Sequence, residues 1–337
     1  MKVVKKNKPG LQDIADQVGV SKMTVSRVLR GGGGFSPETA EKVQEAAQAM
    51  GYVPNRLAAA FGRSEASTLV GVCVPRLSSA LFGSMLESLN ATLTRLGYDM
   101  MIGAHDHLPS EEEAWIRALS AWKPAAVVLT GREHTKRTLT LLRDMAIPVL
   151  ELWDLTTAPI DLSVGFSHFD NGWEMARHIA GAGRKRIGYV GGLAERSSMG
   201  RQRYQGFVKG LEEAGLQLAS SEVVDDRPGF YPGFYATELL LARERGLDAI
   251  YYQDDEMAVG GLAYLTKQGI SVPGDIGIAG WGGMDVASIL PRRLTTTMVP
   301  TTRLGKVAAE ALVSRLRDNP IQDVTVVQTR LVPGATI

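Results

Sequence analysis

Four residues of one short segment have the types and spacing to read nucleic acid. Within SKMTVSRVL (21–29), Lys22, Met23, Ser26 and Arg27 fall on one side of a helix, and Val25, Val28 and Leu29 fall on the other. An arginine can pair bidentately with guanine O6 and N7, and a lysine can reach a base or a phosphate. A methionine offers only apolar contact. Hydroxyls such as those of Thr24 and Ser26 suit phosphates, which fix register without reading sequence. For Met23, packing against a neighbouring helix is an equal alternative.

Positioning these side chains takes further helices. Leu11, Ile14, Ala15 and Val18 form an apolar stripe, and Gly19 then interrupts it. Ser21 can cap the second helix, because its hydroxyl accepts from a free N–H one turn on. Two short helices across a tight glycine turn are the sequence form of a helix-turn-helix, whose second helix enters the major groove. Ser36-Pro37 begins a third helix, with Val43, Ala46, Ala47 and Met50 as its buried face and Gly51 at its end. Residues 31–34 are all glycine but lack the lysine and hydroxyl of a phosphate loop, so they read as a connector. Charge agrees with a nucleic-acid partner. Residues 1–63 carry ten Lys/Arg against five Asp/Glu, a net of +5, and the rest of the chain carries 27 against 31, a net of −4. Phosphate attraction is the usual reason for such a split, and a solvated basic tail is the plainer one.

From about Ser64 the pattern changes to alternating strand and helix. LVGVCV (69–74) is an unbroken apolar run, as in a parallel strand covered on both faces. Strands at 98–104, 125–130 and 148–152 alternate with helices at 82–96, 111–121 and 135–145. A second set follows: helix 171–182, strand 186–192, helices 201–214 and 233–245, strand 248–252, helix 256–268 and strand 276–281. This predicts an α/β body of two doubly wound parallel-sheet subdomains, with a small-molecule crevice at the carboxyl ends of the strands. Arg132, Glu133 and His134 lie just past one such end and Glu151 lies within another strand. A polar cluster there suits a polyhydroxy acid, although His134 alone fits an ordinary surface position. Phe230 and Tyr231 fit a stacking lid or turn packing equally. Trp153 and Trp281 fit cleft walls or core.

Taken together, LQDIADQVGVSKMTVSRVL (11–29) and GYVPNRLAAAF (51–61) resemble the head of the LacI family of bacterial transcription regulators, and the likeness continues through the body. The resemblance implies an all-α helix-turn-helix head on 1–53, a hinge helix or linker on 54–63, and an effector-binding and dimerisation body on 64–337. The body would have periplasmic-binding-protein type I topology. One subdomain would take about 64–166 and 299–325, the other about 167–298 and 326–337. In the head, the resemblance implies DNA contacts from Ser21, Lys22, Met23, Thr24, Ser26 and Arg27. In NRLAAAFG (55–62), Asn55 and Ala58 keep the family's hinge pattern, and Phe61 stands where the family levers a leucine into the minor groove. Phenylalanine is among the apolar wedges that kink DNA.

In the body, Arg203 of RYQGF matches the family's cleft arginine and would hold a carboxylate bidentately. Phe82, with Leu81, matches a cleft-lining position. Asp254 of DDEMAVG stands where the family often has Asn and can accept sugar hydroxyls, while Asp255 would have a structural or capping role. Gly282 replaces the family's usual Asp, and Asp285 is a candidate substitute. Phe230 and Trp281, with Arg132, His134 and Glu151 of the polar cluster, complete the expected effector set. Within the family, LTGREHT (129–135), PVLELWD (148–154) and PIDLSVGF (159–166) resemble the branch that answers gluconate. The implied effector is therefore gluconate or a close aldonate, with idonate, a ketogluconate or a phosphorylated sugar acid as alternatives.

Several function classes lack their signatures. The single cysteine, Cys73, lies inside an apolar strand, so no disulfide framework is expected. No signal peptide or membrane-length apolar run is visible, which predicts a cytoplasmic protein. No metal-spaced His/Cys set appears, the first body strand runs into PRLSS rather than a dinucleotide turn, and five scattered histidines make no nucleophile triad. No enzyme, metal or cofactor is expected. With no heptad segment at the C-terminus, the expected assembly is a homodimer. The expected partners are double-stranded operator DNA, a gluconate-like effector and a second copy.

Overall fold

The computed structural model describes residues 9–29, 33–52, 67–192, 197–225 and 229–337. The chain divides into two compact units, Met1–Ala66 and Ser67–Ile337.

The first unit holds α1 (Leu11–Val18), α2 (Lys22–Leu29) and α3 (Pro37–Ala49). Gly19 ends α1 at φ 73, a left-handed position that glycine takes without strain. Ser21 caps α2, its Oγ accepting from the Thr24 amide at 3.1 Å. Ser36 does the same for α3 from Thr39 at 3.2 Å. The apolar stripes of the three helices meet in a core of Ile14, Ala15, Val25, Val28, Val43 and Ala46. Asn55, Ala58 and Phe61 lie outside the described residues.

The second unit has two lobes, each built on a six-stranded sheet. The first lobe runs β1 (Leu69–Val74), α4 (Ala80–Arg95), β2 (Asp99–Ala104), α5 (Pro109–Ser120), β3 (Ala126–Thr130), α6 (Lys136–Met145), β4 (Val149–Asp154) and β5 (Leu162–Phe166). The second runs α7 (His168–Gly181), β6 (Ile187–Gly191), α8 (Ser198–Glu213), β7 (Leu218–Val223), α9 (Phe230–Arg243), β8 (Ala249–Tyr252), α10 (Asp255–Lys267), β9 (Gly277–Gly282), α11 (Asp285–Ile289) and β10 (Thr295–Met298). The chain then returns to the first lobe as α12 (Thr301–Leu316) and β11 (Val324–Val326), and to the second as β12 (Arg330–Val332). Ser84 Oγ, 3.0 Å from Thr301 Oγ1, joins α4 to α12.

Strand order is β11-β5-β4-β3-β1-β2 in one sheet and β12-β10-β9-β8-β6-β7 in the other. The first is parallel throughout, and in the second only β12 is antiparallel. The all-α head and the two parallel-sheet lobes match the predicted fold class. The central strands β1, β3, β4 and β5 are buried almost throughout, which is why they read as apolar runs. The periodicity missed β5, β7, α11, β10, α12, β11 and β12. The edge strand β7, LASSEV, is polar and partly exposed, and β11 and β12 have three residues each, too short to show a period.

Two glycines set the spacing of α7 and α8. A Cβ on Gly206 would lie 1.9 Å from the Phe169 carbonyl, and one on Gly172 would lie 1.9 Å from the Arg203 carbonyl. The obstacle is backbone in both cases, so the helices must separate to admit it. Gly206→Ala is expected to destabilise the body by about 1–3 kcal/mol. A thermal melt checks this, and an unchanged midpoint refutes it.

Candidate functional site

A cavity of about 270 Å³ lies between the lobes. It sits beyond the carboxyl ends of β1, β6 and β8, where strand order reverses and this topology leaves a crevice. The first lobe contributes Arg76, Phe82, His107 and Trp153 to its wall. The second contributes His168, Arg203, Gln253, Asp254, Glu256 and Trp281.

Arg203 sits on α8 and is only 4% exposed. Its Nη2 donates to the Gln253 carbonyl at 3.0 Å, and its Nη1 faces His168 Nδ1 at 3.4 Å. The guanidinium stacks 4.0 Å over the Trp281 ring. Its Nε has no hydrogen-bond partner, and among the described residues no carboxylate pairs with it. A buried cation left this way is costly unless an anion arrives. Burial, with the Arg203 charge beside it, holds the His168 pKa well below the usual imidazole value, so the ring is neutral. If Nδ1 accepts from Arg203, the ring proton is on Nε2. That atom and Trp281 Nε1 are also buried without partners. The group is therefore rich in unsatisfied donors, and an acceptor-rich anion complements it.

Asp254 stands opposite in character. Its Oδ1 caps α10 by accepting from Met257 N at 2.8 Å. Burial raises its pKa to about 7. One oxygen is thus committed to the helix, leaving the other for a ligand hydroxyl. Asp255 is structural as expected, accepting from Thr296 Oγ1 at 2.6 Å and Met284 N at 2.8 Å.

Aromatic rings line the apolar part. Trp153 lies 4.7 Å from Phe82 and 6.5 Å from Trp281, centroid to centroid, bridging the lobes. Its backbone is at φ 84, a conformation that costs a bulky residue about 1–3 kcal/mol and clusters at functional sites.

Other expected residues lie elsewhere. His134 is neither at the surface nor at the cavity. Its side chain is buried, with Nδ1 2.7 Å from Glu112 Oε1 and Nε2 3.6 Å from Glu151 Oε1. Glu151 is consumed in that cluster and accepts from Ile160 N at 2.7 Å. Phe230, 48% exposed at the start of α9, and Tyr231, 75% exposed, are not in the cavity wall. Asp285 is exposed and also absent from the wall, so it does not stand in for an acid at Gly282.

Arg132 serves an adjoining latch between the lobes. Its Nε is 3.3 Å from Asp154 Oδ2. Asp154 also accepts from Ser198 Oγ at 2.9 Å and Gln202 Nε2 at 3.0 Å. Glu133 accepts from Ser198 N at 2.9 Å and pairs with Arg201. Two first-lobe carboxylates thus hold the N-terminus of α8, where a helix favours negative charge.

Arg76, His107, His168, Gln253 and Glu256 are wall residues that the sequence did not single out. Arg76 lies two residues past the end of β1, so the strand-end rule applied to that strand would have found it. His168 follows β5, which had not been read as a strand.

In the head, Lys22, Met23 and Arg27 are exposed along α2. Met23 is 69% exposed, which excludes packing as its role within the unit. Among the described residues, no helix is long and apolar enough to cross a membrane, and no His/Cys/Asp/Glu group is set to hold a metal.

Residues 10–55 match the family model described as bacterial regulatory proteins, lacI family, and residues 176–337 match that of a periplasmic binding protein-like domain. The chain is 31% identical over 318 residues to the HTH-type transcriptional regulator GntR of Escherichia coli K12, covering 94% of this chain and 95% of the relative. A LacI-family transcriptional regulator from Silicibacter pomeroyi has a similar crystal structure, with TM-score 0.91, 36% identity and coverage of 97% and 99%. The lac repressor dimer bound to operator and the anti-inducer ONPF shares the fold at TM-score 0.86, with 23% identity and coverage of 98% and 99%.

Proposed function

We propose, for a chain that belongs to the lacI family of bacterial regulatory proteins, that the body senses gluconate or a close aldonate and thereby releases the head from DNA. The chain is a DNA-binding transcriptional regulator, as its relatives are. The finer reading is a repressor of sugar-acid utilisation genes acting as a homodimer on a palindromic operator. Two copies of α2 would read the half-sites through Lys22, Met23 and Arg27, with Ser21, Thr24 and Ser26 toward the phosphates. Residues 54–63 would carry the change from body to head, with Asn55 and Ala58 at the DNA and Phe61 as the central wedge.

The observation that carries the ligand class is Arg203, a buried guanidinium with unsatisfied donors beside it and no carboxylate paired with it among the described residues. A sugar acid supplies that carboxylate, and its hydroxyls suit Asp254. Binding across both lobes favours one lobe arrangement over another. For release, the effector must bind the DNA-free arrangement more tightly than the DNA-bound one, and the operator must weaken effector binding by the same factor. An operator titration of the purified protein with and without gluconate tests this. Operator affinity is expected to fall when gluconate is present, and unchanged affinity removes gluconate as the inducer.

A further inference from the structure

Two charged side chains of the cavity are left unused by the sugar-acid reading. Arg76 leaves the end of β1 in the first lobe, and Glu256 lies in the first turn of α10 in the second. Both line the cavity. Arg76 Nε has no hydrogen-bond partner, and neither side chain forms a hydrogen bond or ion pair among the described residues. They still act on one another, because the Arg76 charge opposes the upward shift that burial gives the Glu256 carboxyl. The Arg203 charge acts on His168 and Asp254, and Glu256 acts on Asp254 as well. The cavity wall thus has two poles that meet at Asp254. One is rich in donors. The other sets a donor-only group against an acceptor-only group, farther apart than an ion pair.

A hydroxyl satisfies both members of the second pole, since it donates to a carboxylate and accepts from a guanidinium. A phosphate satisfies Arg76 alone and meets Glu256 as a like charge. A methylene chain satisfies neither. We propose that Arg76 and Glu256 clamp the hydroxyl tail of the effector from opposite lobes and reject acids phosphorylated at that end. This rests on the sugar-acid reading and adds the residues that choose among sugar acids. Because the clamp needs one residue from each lobe, it also ties ligand identity to the fit of the lobes on the ligand.

Calorimetric titration of the full chain with gluconate, 6-phosphogluconate and hexanoate tests the clamp. Gluconate is expected to bind at least about tenfold more tightly than either of the others, because a site built for hydroxyls discriminates against ligands that leave its polar groups unpaired. Glu256→Gln is expected to weaken gluconate binding and to narrow the gap to 6-phosphogluconate. Arg76→Gln is expected to weaken gluconate binding without narrowing that gap in favour of the phosphate. Equal or tighter binding of 6-phosphogluconate by the unaltered protein overturns the clamp, and that comparison needs no variant to fold. An unchanged ratio in Glu256→Gln overturns it as well. Binding of none of the three overturns the sugar-acid reading too, whereas gluconate binding without discrimination overturns the clamp alone.

Discussion

Replacing Arg203 with glutamine is expected to abolish the response to gluconate while leaving operator binding in place. Truncating one partner of a buried, hydrogen-bonded charge pair costs about 2–5 kcal/mol, which is a loss of affinity of about thirtyfold or more. Arg203→Lys is not expected to rescue it. A lysine cannot present two parallel donors to a carboxylate, donate to the Gln253 carbonyl and stack on Trp281 together. The ligand-free protein should behave in the opposite sense. Without ligand the guanidinium is buried and, among the described residues, forms no ion pair, so a neutral side chain of similar length should leave the melting temperature unchanged or raise it. Ligand that binds only the folded state raises the melting temperature of the unaltered protein, by an amount that grows with its concentration over Kd. The variant should lose that gluconate-induced rise. Retention of the rise in Arg203→Gln removes Arg203 as the carboxylate anchor.

The same residue shows how far the sequence alone could go. Resemblance was enough to pick out Arg203, since RYQGF is a contiguous segment. The partners that define its state are scattered: Gln253 follows β8, Trp281 lies near the end of β9, and His168 opens α7. Only the sheet order brings them together. The head was legible almost whole, because its caps and apolar stripes are local. Lys22, Met23 and Arg27 fall on the exposed face that helical spacing assigned to them. The polar residues of LTGREHT were read correctly as lying past a strand end but were given the wrong destination. Arg132 and Glu133 turn to the latch on α8, and His134 turns inward to carboxylates from α5 and β4. Sequence spacing does not say which way three consecutive polar residues point once they leave a strand.

Glu112, His134 and Glu151 form the second place where a single change should have a large effect, this time on stability. Glu112 and Glu151 are 2% and 3% exposed, and they flank the imidazole from α5 and β4. Burial alone would push His134 toward the neutral form, but the two carboxylates outweigh it and raise its pKa from 6.5 to about 9. The neighbouring His105 adds no second charge, since burial lowers its pKa. At neutral pH an imidazolium therefore sits between two buried carboxylates. Breaking such a pair by removing one partner costs about 3–5 kcal/mol, because the remaining charge is left uncompensated. His134→Phe is expected to lose that much, measured by urea unfolding at pH 7.

The pH dependence follows from the direction of the shift. The folded state holds the proton more tightly than the unfolded state, so this contribution is complete below about pH 6.5. It should then fade as pH rises through about 9. Stability of the unaltered protein should accordingly fall between pH 7 and pH 10 more steeply than that of His134→Phe, and the difference between them should shrink. A difference that stays constant across that interval means that His134 contributes by packing and not as a cation.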